Sequence, residues 1–401
     1  MSVPLDRLYH YLGDCVNHDL VIYRWAPHGS RKLEDLDQLT NYTEHSWYND
    51  PMVLFHDQEP LVYNMYTKDQ LQNHARQKFD NARFNFMLKD SVLDYVASQH
   101  LRAAMICINR YDKIILVHSE LHSDQVELFA QKNFVPVYFW SHAVISLDWF
   151  RYAQHDPKLN FKVDTVTQDF LIYNRAWSGT REYRLAFMET LINVGLVQNC
   201  KTSFCPVDQN QHYTAHNFVN QKFAINNQHL EKCFVANNYS AQSSANYVAD
   251  DYAKCGIEIV LETLFDDDRW HLTEKTLRPI AVGKPFILMA TPGSLQYLRN
   301  YGFETFDGLI DESYDSITDS VERLQTVVAE MQRIADLSSS AKKDLYNKLQ
   351  HIAQRNRDHF FGGLCDQVIN EYKTNLDHAI TIMNQHCTQA HRTVIQKLLQ
   401  N

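Results

Sequence analysis

A hydroxyl, a carboxylate and an amine follow one another at Thr273, Glu274 and Lys275, and together they could bind a nucleotide. Thr is a favoured residue just before a helix, and an acid in the first turn is stabilised by the helix dipole. Because the amino end of a helix attracts anions, a phosphate placed here would meet the helix and the Lys275 ammonium. The Glu274 carboxylate could accept hydrogen bonds from ribose hydroxyls. A capped helix with solvated charges is the alternative.

The flanking residues predict the elements that would position this group. Residues 257–261 and 286–289 are short apolar runs of strand length, each bounded by polar or turn residues. Between them we expect a helix that begins at Thr273 and ends before Gly283, with Pro285 at the start of the second strand. The helix would then begin at the carboxyl edge of a parallel sheet, where anions are readily bound.

This stretch resembles the donor-nucleotide motif of the α1,3-fucosyltransferases and, more loosely, of exostosin-like transferases. In that family an acidic turn leads into an aromatic residue, a branched apolar residue, Thr-Glu-Lys, a helix and a strand that starts with small residues and proline. Residues 272–277 and 281–285 follow this order. The family's Phe-Glu-Asn is residues 261–263 here, Leu-Glu-Thr, and its Tyr is His271. For that reason neither GDP nor fucose is carried over to this chain.

Over its whole length the chain is also similar, more loosely, to glycosyltransferase-like proteins encoded by tailed bacteriophages. Together the resemblances imply a GT-B-like glycosyltransferase: an α/β protein with two Rossmann-like domains that face a cleft, and with C-terminal helices. The co-substrate would be a nucleotide sugar bound by the second domain, and no further cofactor is expected. The residues expected at the donor are His271, Thr273, Glu274, Lys275, Arg175 and Arg181.

Arg175 and Arg181 belong to a second candidate phosphate contact. A strand at residues 170–173 leads into Asn-Arg-Ala-Trp-Ser-Gly-Thr-Arg, and a helix follows over residues 183–194. A loop with Gly and two arginines between a strand and a helix suits a phosphate. In the fucosyltransferases a basic residue near the start of the second domain meets the donor phosphates, and either arginine matches that role in order along the chain. A solvated arginine loop is the alternative.

Five apolar runs in the first part of the chain predict strands, namely residues 19–25, 51–55, 101–108, 113–117 and 134–139. Because helical lengths separate them, we expect parallel βαβ units in a doubly wound sheet. Histidines follow several of these strands at the edge where open α/β sheets bind ligands. With Trp140, they are the candidates for acceptor binding: His28, His56, His118 and His142. Chance is the alternative, because the chain has 20 histidines.

Transfer to an acceptor hydroxyl also needs a general base opposite the donor. Glu59 is the first candidate and Glu120 the second, because each follows a predicted strand of the first half. Asp57 and His56 stand close to Glu59 and could tune or replace it. Either glutamate could instead form a structural ion pair.

Two patterns raise the question of a metal. Asp266, Asp267 and Asp268 could hold Mg²⁺ or Mn²⁺ beside a diphosphate. Because they stand just before a helix, where the helix dipole stabilises acids, a structural role in the turn and at the helix start is favoured over metal binding. The histidines after the strands match no ligand spacing, and none of the eight cysteines forms a CxxC pair. We therefore predict no metal site.

Composition and charge limit the class of protein. The chain has 401 residues, of which 45% are apolar and 21% charged, as in folded proteins of two or three domains. The net charge of −10 gives no overall footprint for nucleic acid. No signal peptide is evident, and no apolar run has the length of a membrane span. We expect a soluble cytoplasmic protein with three parts: residues 1–160 for the acceptor, 161–345 for the donor, and 346–401 as helices packing on both domains.

Two alternatives remain open. The acceptor could be a glycan or a hydroxylated DNA base, and the latter needs a basic, aromatic cleft to which several residues could contribute. These are Arg24, Trp25, Arg31, Lys32, Trp140 and Arg151. The negative net charge of the chain argues against a DNA acceptor, since affinity for DNA depends on neutralising its phosphates. The chain could also be a binding module without turnover. The sequence does not identify the sugar or the nucleotide base of the donor, or the oligomeric state of the protein.

Overall fold

The computed structural model of the chain describes residues 21–24, 52–56, 60–61, 68–89, 102, 105, 113–159, 161–227, 229–236 and 246–385. The chain forms two compact units. Met1–Ile145 and Asp366–Asn401 make the first unit, and Ser146–Cys365 makes the second. Each unit contains a parallel sheet accompanied by helices, which confirms the α/β class predicted from the sequence.

The first unit has a sheet of four parallel strands in the order β1-β2-β3-β4. The strands are β1 Val21–Arg24, β2 Met52–Phe55, β3 Ile114–His118 and β4 Phe134–Tyr138. Its helices include α1 Lys68–Lys89 and α2 Asp124–Ala130, and α3 Ser141–Trp149 leads out of it. Every residue of β3 is buried, as expected for a parallel strand covered on both faces.

The expected strand at residues 101–108 is wrong, because Arg102 and Met105 are helical. A short apolar run suits a buried helix as well as a buried strand, and its periodicity alone does not separate the two. Helix α1 has no counterpart among the sequence predictions. Its buried residues Leu71, Ala75 and Ala82 do keep helical spacing, but polar side chains surround them.

The second unit has a sheet of five parallel strands in the order β11-β10-β5-β6-β9. The strands are β5 Gln168–Asn174, β6 Cys200–Phe204, β9 Val235–Ala236, β10 Cys255–Leu261 and β11 Phe286–Met289. A short antiparallel hairpin, β7 Val207–Asp208 and β8 Gln211–His212, lies between β6 and β9 in the chain. The strands predicted on either side of Thr273 correspond to β10 and β11.

Helices follow the strands of the second unit in the parallel-sheet pattern. They are α4 Tyr183–Asn193, α5 Leu230–Cys233, α6 Ala249–Lys254, α7 Glu274–Val282, α8 Ser294–Asn300, α9 Ser320–Ala335 and α10 Ser339–Gly362. The predicted cap of α9 is confirmed, since the Asp319 carboxylate accepts from Glu322 N at 2.8 Å. Helix α10 begins six residues before the predicted start at 345, where the Ser338 hydroxyl accepts from Ala341 N.

The last helix, α11 Leu364–Gln385, takes the chain back to the first unit. There its Tyr372 ring packs 4.6 Å from the Phe139 ring, and Asn375 Nδ2 donates to Tyr138 O at 3.0 Å. Most of the helix predicted at residues 365–399 is therefore present, and its remainder lies outside the described residues. None of the helices in the described part of the chain has the length and apolar character of a membrane span.

Candidate functional site

Helix α7 begins and ends where the sequence predicts. Thr273 is extended, and its hydroxyl accepts from Lys275 N at 3.4 Å, as in an N-cap. Gly283 has a left-handed backbone with φ of 72°, which suits glycine, and its N–H bonds back to the last turn. Because β10 and β11 are neighbouring parallel strands, α7 starts at the carboxyl edge of the sheet, as expected.

A buried carboxylate, Glu262, lies under the first turn of α7. Its two oxygens accept from Thr273 N at 2.9 Å, Thr273 Oγ1 at 2.8 Å, Thr276 Oγ1 at 2.6 Å, Thr276 N at 3.3 Å and Thr263 N at 3.0 Å. The side chain thus satisfies backbone donors that the first turn of a helix leaves without partners. In the described structure, the anion bound at this helix end is therefore the Glu262 carboxylate.

Glu262 is held in its charged form. Burial raises the pKa of the Glu262 carboxyl, but the Lys275 ammonium and the hydrogen bond from the Thr276 hydroxyl outweigh that effect. The pKa therefore lies below its ordinary value. An ionised carboxylate surrounded by donors and facing a lysine is the arrangement in which a buried charge is tolerated.

Lys275 lies close enough to lower the pKa of this carboxyl, and its side chain keeps 18% of its surface exposed. Its Nζ is 2.9 Å from Glu274 Oε1, 3.1 Å from Thr273 Oγ1 and 3.3 Å from Thr263 Oγ1. We call Glu262, Thr263, Thr273, Glu274 and Lys275 the α7 cluster. An ammonium has three hydrogens to donate, so a phosphate at Lys275 would exchange with one of these neutral hydroxyls.

The strand end that carries Glu262 is held from α4. Tyr183 Oη donates to Glu262 O at 2.7 Å, while Arg184 Nη2 donates to Leu261 O at 2.6 Å and to Glu262 O at 2.8 Å. Arg184 Nη1 also donates to Ala176 O at 2.6 Å, which ties the loop after β5 to the end of β10. Burial raises the pKa of Tyr183 to about 12 and lowers the pKa of Arg184.

Arg175 and Arg181 lie on the loop after β5, and both are half-buried. The loop is anchored by the Asp208 carboxylate, which accepts from Trp177 N at 2.9 Å and from Ser178 N at 2.8 Å. Because β5 and β10 are parallel neighbours, this loop and the start of α7 leave the sheet at the same edge. Arg181 is close enough to α4 to lower the pKa of the Tyr183 hydroxyl, although burial dominates that group.

His271, the remaining residue expected at the donor, is only 2% exposed. A ring at that depth supports the turn before α7 and offers little surface to a ligand. Sequence reasoning missed Glu262 and Arg184 as parts of this region. Glu262 stands at the position of the glutamate in the Phe-Glu-Asn motif, which was the available signal. The sequence has no comparable feature that would predict a role for Arg184, which stands within a predicted helix like any other polar residue.

The acidic turn before α7 is engaged with basic and amide side chains. Asp266 lies 3.3 Å from Lys222 Nζ and accepts from Asn220 Nδ2 at 2.5 Å. Asp267 accepts from Arg269 through Nε at 2.8 Å and Nη2 at 2.6 Å. Within the described residues no group of three histidine, cysteine or acidic side chains is placed to hold a metal ion. Independence from metal stays a prediction.

In the first unit the strand ends gather buried polar residues. His56, His118, His142 and Trp140, all expected at the acceptor, are at most 7% exposed. The main chain joins some of them, since His56 N donates to Val117 O at 3.0 Å and Phe139 N donates to His118 O at 2.8 Å. The described residues therefore place these side chains at the carboxyl edge of one sheet, beneath its surface.

Glu120, one of the two predicted bases, is buried and tied to its surroundings. Its carboxylate accepts from Leu61 N and from Ser123 Oγ, the latter at 2.6 Å. Its own N–H donates to His118 Nδ1 at 3.3 Å. Glu120 thereby fastens the segment after β2 to the turn after β3 through hydrogen bonds, a structural role other than the ion pair considered from the sequence.

Several predicted residues lie outside the described residues, namely His28, Asp57, Glu59, Trp25, Arg31 and Lys32. Arg151 is described, and it makes local contacts: an ion pair with Asp148 at 3.3 Å and a stack on the Tyr152 ring at 4.5 Å. Those contacts do not build a basic groove around it. Comparisons of the chain with protein-family models, curated proteins and solved structures gave no match.

Proposed function

We propose that the protein is a glycosyltransferase of GT-B type that binds a nucleotide-sugar donor at the α7 cluster. The observation that carries this proposal is the partly exposed Lys275 ammonium, held by two threonine hydroxyls at the carboxyl edge of a parallel sheet, near the ionised Glu262. A lysine whose position is set before binding loses little freedom when it meets a phosphate. The half-buried Arg175 and Arg181 leave the same edge and add charge for a diphosphate.

The Glu274 carboxylate suits the ribose. The Glu274 carboxylate would accept from a ribose hydroxyl while it keeps its salt bridge with Lys275, whose Nζ lies 2.9 Å from Oε1. Leaving-group charge would be neutralised by Lys275 and the two arginines, a route that needs no metal. We therefore expect donor binding to survive EDTA.

The first unit would supply the acceptor surface and the general base. Glu59 is the preferred base, since the Glu120 carboxylate already accepts from Leu61 N and Ser123 Oγ. The bond from Leu61 N holds the chain two residues after Glu59. Glu120 therefore suits a role in supporting that segment. A glycan is the preferred acceptor, because no described contact builds a basic surface for DNA and the chain carries a net charge of −10.

The test is a nucleotide-sugar panel on the full-length protein. We expect at least one of the UDP-, GDP-, dTDP- and CMP-sugars to raise the melting temperature and to be consumed slowly by hydrolysis. Lys275→Ala should weaken binding of that nucleotide by about 10- to 100-fold, the range expected for a charge-assisted hydrogen bond of about 1.5–3 kcal/mol.

Lys348→Ala is the matched control, because Lys348 lies on α10, where it forms an exposed ion pair with Asp344. It should leave nucleotide affinity unchanged. Equal affinity in the Lys275→Ala variant, with its fold intact, would remove the α7 cluster from the donor site. Binding without consumption of any donor would favour the non-catalytic module.

A further inference from the structure

A polar cleft lies in the second unit, away from the α7 cluster. It has a volume of about 410 Å³, and its walls are helix α10 and residues 154–157, 159 and 161. Gln350 Nε2 donates to Gly283 O at 2.9 Å, which places the cleft beside the C-terminal end of α7. Phe161 precedes β5 and Gly283 precedes β11, so the cleft lies at the amino edge of the sheet. The α7 cluster lies at the carboxyl edge.

The α10 wall is a stripe of side chains that can form hydrogen bonds. Gln350, His351, Gln354 and Arg357 follow the i, i+1, i+4, i+7 spacing of one helix face, and all four line the cleft. Much of their hydrogen-bonding capacity is uncommitted within the described part of the chain. Gln354 Nε2 donates to Asp358 Oδ1 at 2.8 Å, which leaves its oxygen and one N–H, and Arg357 donates to Ala153 O. Gln350 Oε1 is buried without a partner, and His351 makes no hydrogen bond among the described residues.

The facing wall combines apolar and polar groups. Pro157, Leu159 and Phe161 supply apolar surface, and Gln154 and His155 add an amide and an imidazole. The Phe161 ring also packs against the buried Lys284, whose Nζ lies 3.5 Å from the ring centroid. A ligand here would meet an apolar surface on one side and a row of amide, imidazole and guanidinium groups on the other.

The charges of the cleft argue against an anionic ligand. Arg357 is balanced here by Asp156, and Asp358 lines an adjoining cleft of about 280 Å³ that shares Gln154, Gln354 and Arg357. Asp156 also has partners on both oxygens, Lys158 N at 2.9 Å and Tyr247 Oη at 3.1 Å. One guanidinium beside two carboxylates gives the clefts no positive charge that would attract a phosphate. Neutral hydrogen-bonding groups therefore determine which ligand binds.

We propose that this cleft is a saccharide-binding site, separate from the α7 cluster. A sugar ring presents hydroxyls around its edge and C–H groups on its faces, which matches the two walls. Amide and imidazole groups can each donate to one hydroxyl and accept from another. The lining of the two clefts runs from Gln350 to Gly362 along α10, a helical length of about 18 Å, which exceeds one sugar ring. The proposal does not depend on nucleotide binding elsewhere.

The test uses saturation-transfer NMR on the full-length protein with glucose, galactose, N-acetylglucosamine, maltose and lactose. We expect transfer to at least one of these sugars, and a Kd from titration. Gln354→Ala and His351→Ala should each weaken it by about three- to tenfold, as for one neutral hydrogen bond. Both residues are exposed, so neither change threatens the fold.

Arg355→Ala is the matched control, because Arg355 pairs with Glu304 outside the cleft. It should leave the Kd unchanged, and so should Lys275→Ala. Three results would overturn the proposal: no transfer to any sugar, equal weakening by Arg355→Ala, or binding of inorganic phosphate that depends on Gln354 and His351 in place of sugar binding.

Discussion

Glu262 is the residue on which the geometry of the α7 cluster depends, although it lies beneath the surface that a ligand would touch. Thr273, Glu274 and Lys275 could be predicted from sequence, because a hydroxyl followed by charged residues marks a helix start locally. The role of Glu262 could not be, because it requires the end of β10 and the start of α7 to meet in space. A side chain eleven residues before Thr273 becomes its partner only after folding.

We expect Glu262→Gln to destabilise the second unit by about 3 kcal/mol or more. The amide keeps one acceptor oxygen, but its NH₂ group faces donors, and the charge that pairs with Lys275 is lost. Glu322→Gln, in the first turn of α9, should cost less than about 1 kcal/mol. Urea unfolding of both variants measures the difference. A loss below about 1 kcal/mol for Glu262→Gln would contradict the role assigned to this carboxylate.

Lys284 is a second buried charge, and its protonation links stability to pH. Its Nζ donates to Tyr252 O at 2.8 Å, and burial lowers the pKa to about 7. The unfolded chain, with its ordinary pKa near 10.4, binds a proton that the folded chain has released between these values. Stability from this group therefore rises as pH increases from about 7 toward 10, by up to about 1.4 kcal/mol per pH unit.

Lys284→Met removes this titration. The variant lacks the cost of a buried ammonium, a cost that wild type bears most fully below about pH 7 and progressively less above it. We expect that relative advantage to shrink between pH 7 and pH 9, since wild type gains stability over that range. Urea unfolding at both pH values gives the comparison. A difference that does not change with pH would contradict a lowered pKa for Lys284.

At the scale of elements, helix α7 is held at both ends and in its middle. Glu262 holds its first turn, Gly283 ends it, and Arg278 fixes its centre by donating to Glu258 Oε1 at 2.6 Å. Tyr252 Oη donates to the other Glu258 oxygen at 2.6 Å. The direction of α7 sets where Lys275 stands, so this buried ion pair contributes to the candidate site without touching it.

Arg278→Met should destabilise the second unit by about 3–5 kcal/mol, because it leaves the Glu258 carboxylate buried without its cation. The double change Glu258→Leu with Arg278→Met should recover much of that loss, since two apolar groups need no partner. Denaturant unfolding of the single and double variants gives the coupling. Additive losses would show that the two side chains contribute independently.

The elements that sequence predicted best are those whose signals are local. Strand β11 is apolar throughout, β10 is apolar or small except at Glu258, and α9 has its Asp319 cap. Strand β6, by contrast, is Cys-Lys-Thr-Ser-Phe, which does not read as a buried strand. Its Lys201 is tolerated because it pairs with Asp251, a partner that only the folded unit supplies. Polar strands of this kind cannot be predicted from sequence, because the tertiary contacts that stabilise them are not known at that stage.

At the scale of the whole molecule, the chain leaves the first unit near residue 145 and returns at residue 366. Helix α11 completes the first unit with residues from the far end of the sequence. Its buried side chains Val368, Tyr372, Leu376 and Met383 show that the return is a packed part of that unit. Sequence predicted a helix here, but helical periodicity does not say which unit it joins.

Tyr372→Ala should therefore lower the stability of the first unit alone. Tyr372 is fully buried and its ring lies 4.6 Å from Phe139, so truncation leaves a cavity worth about 3–5 kcal/mol. Calorimetry should show one transition shifted to lower temperature and the other unchanged. Tyr152→Ala, at an exposed ring in the second unit, should move neither transition appreciably. If Tyr372→Ala shifts both transitions equally, the two units unfold as one, and α11 does not belong to the first unit alone.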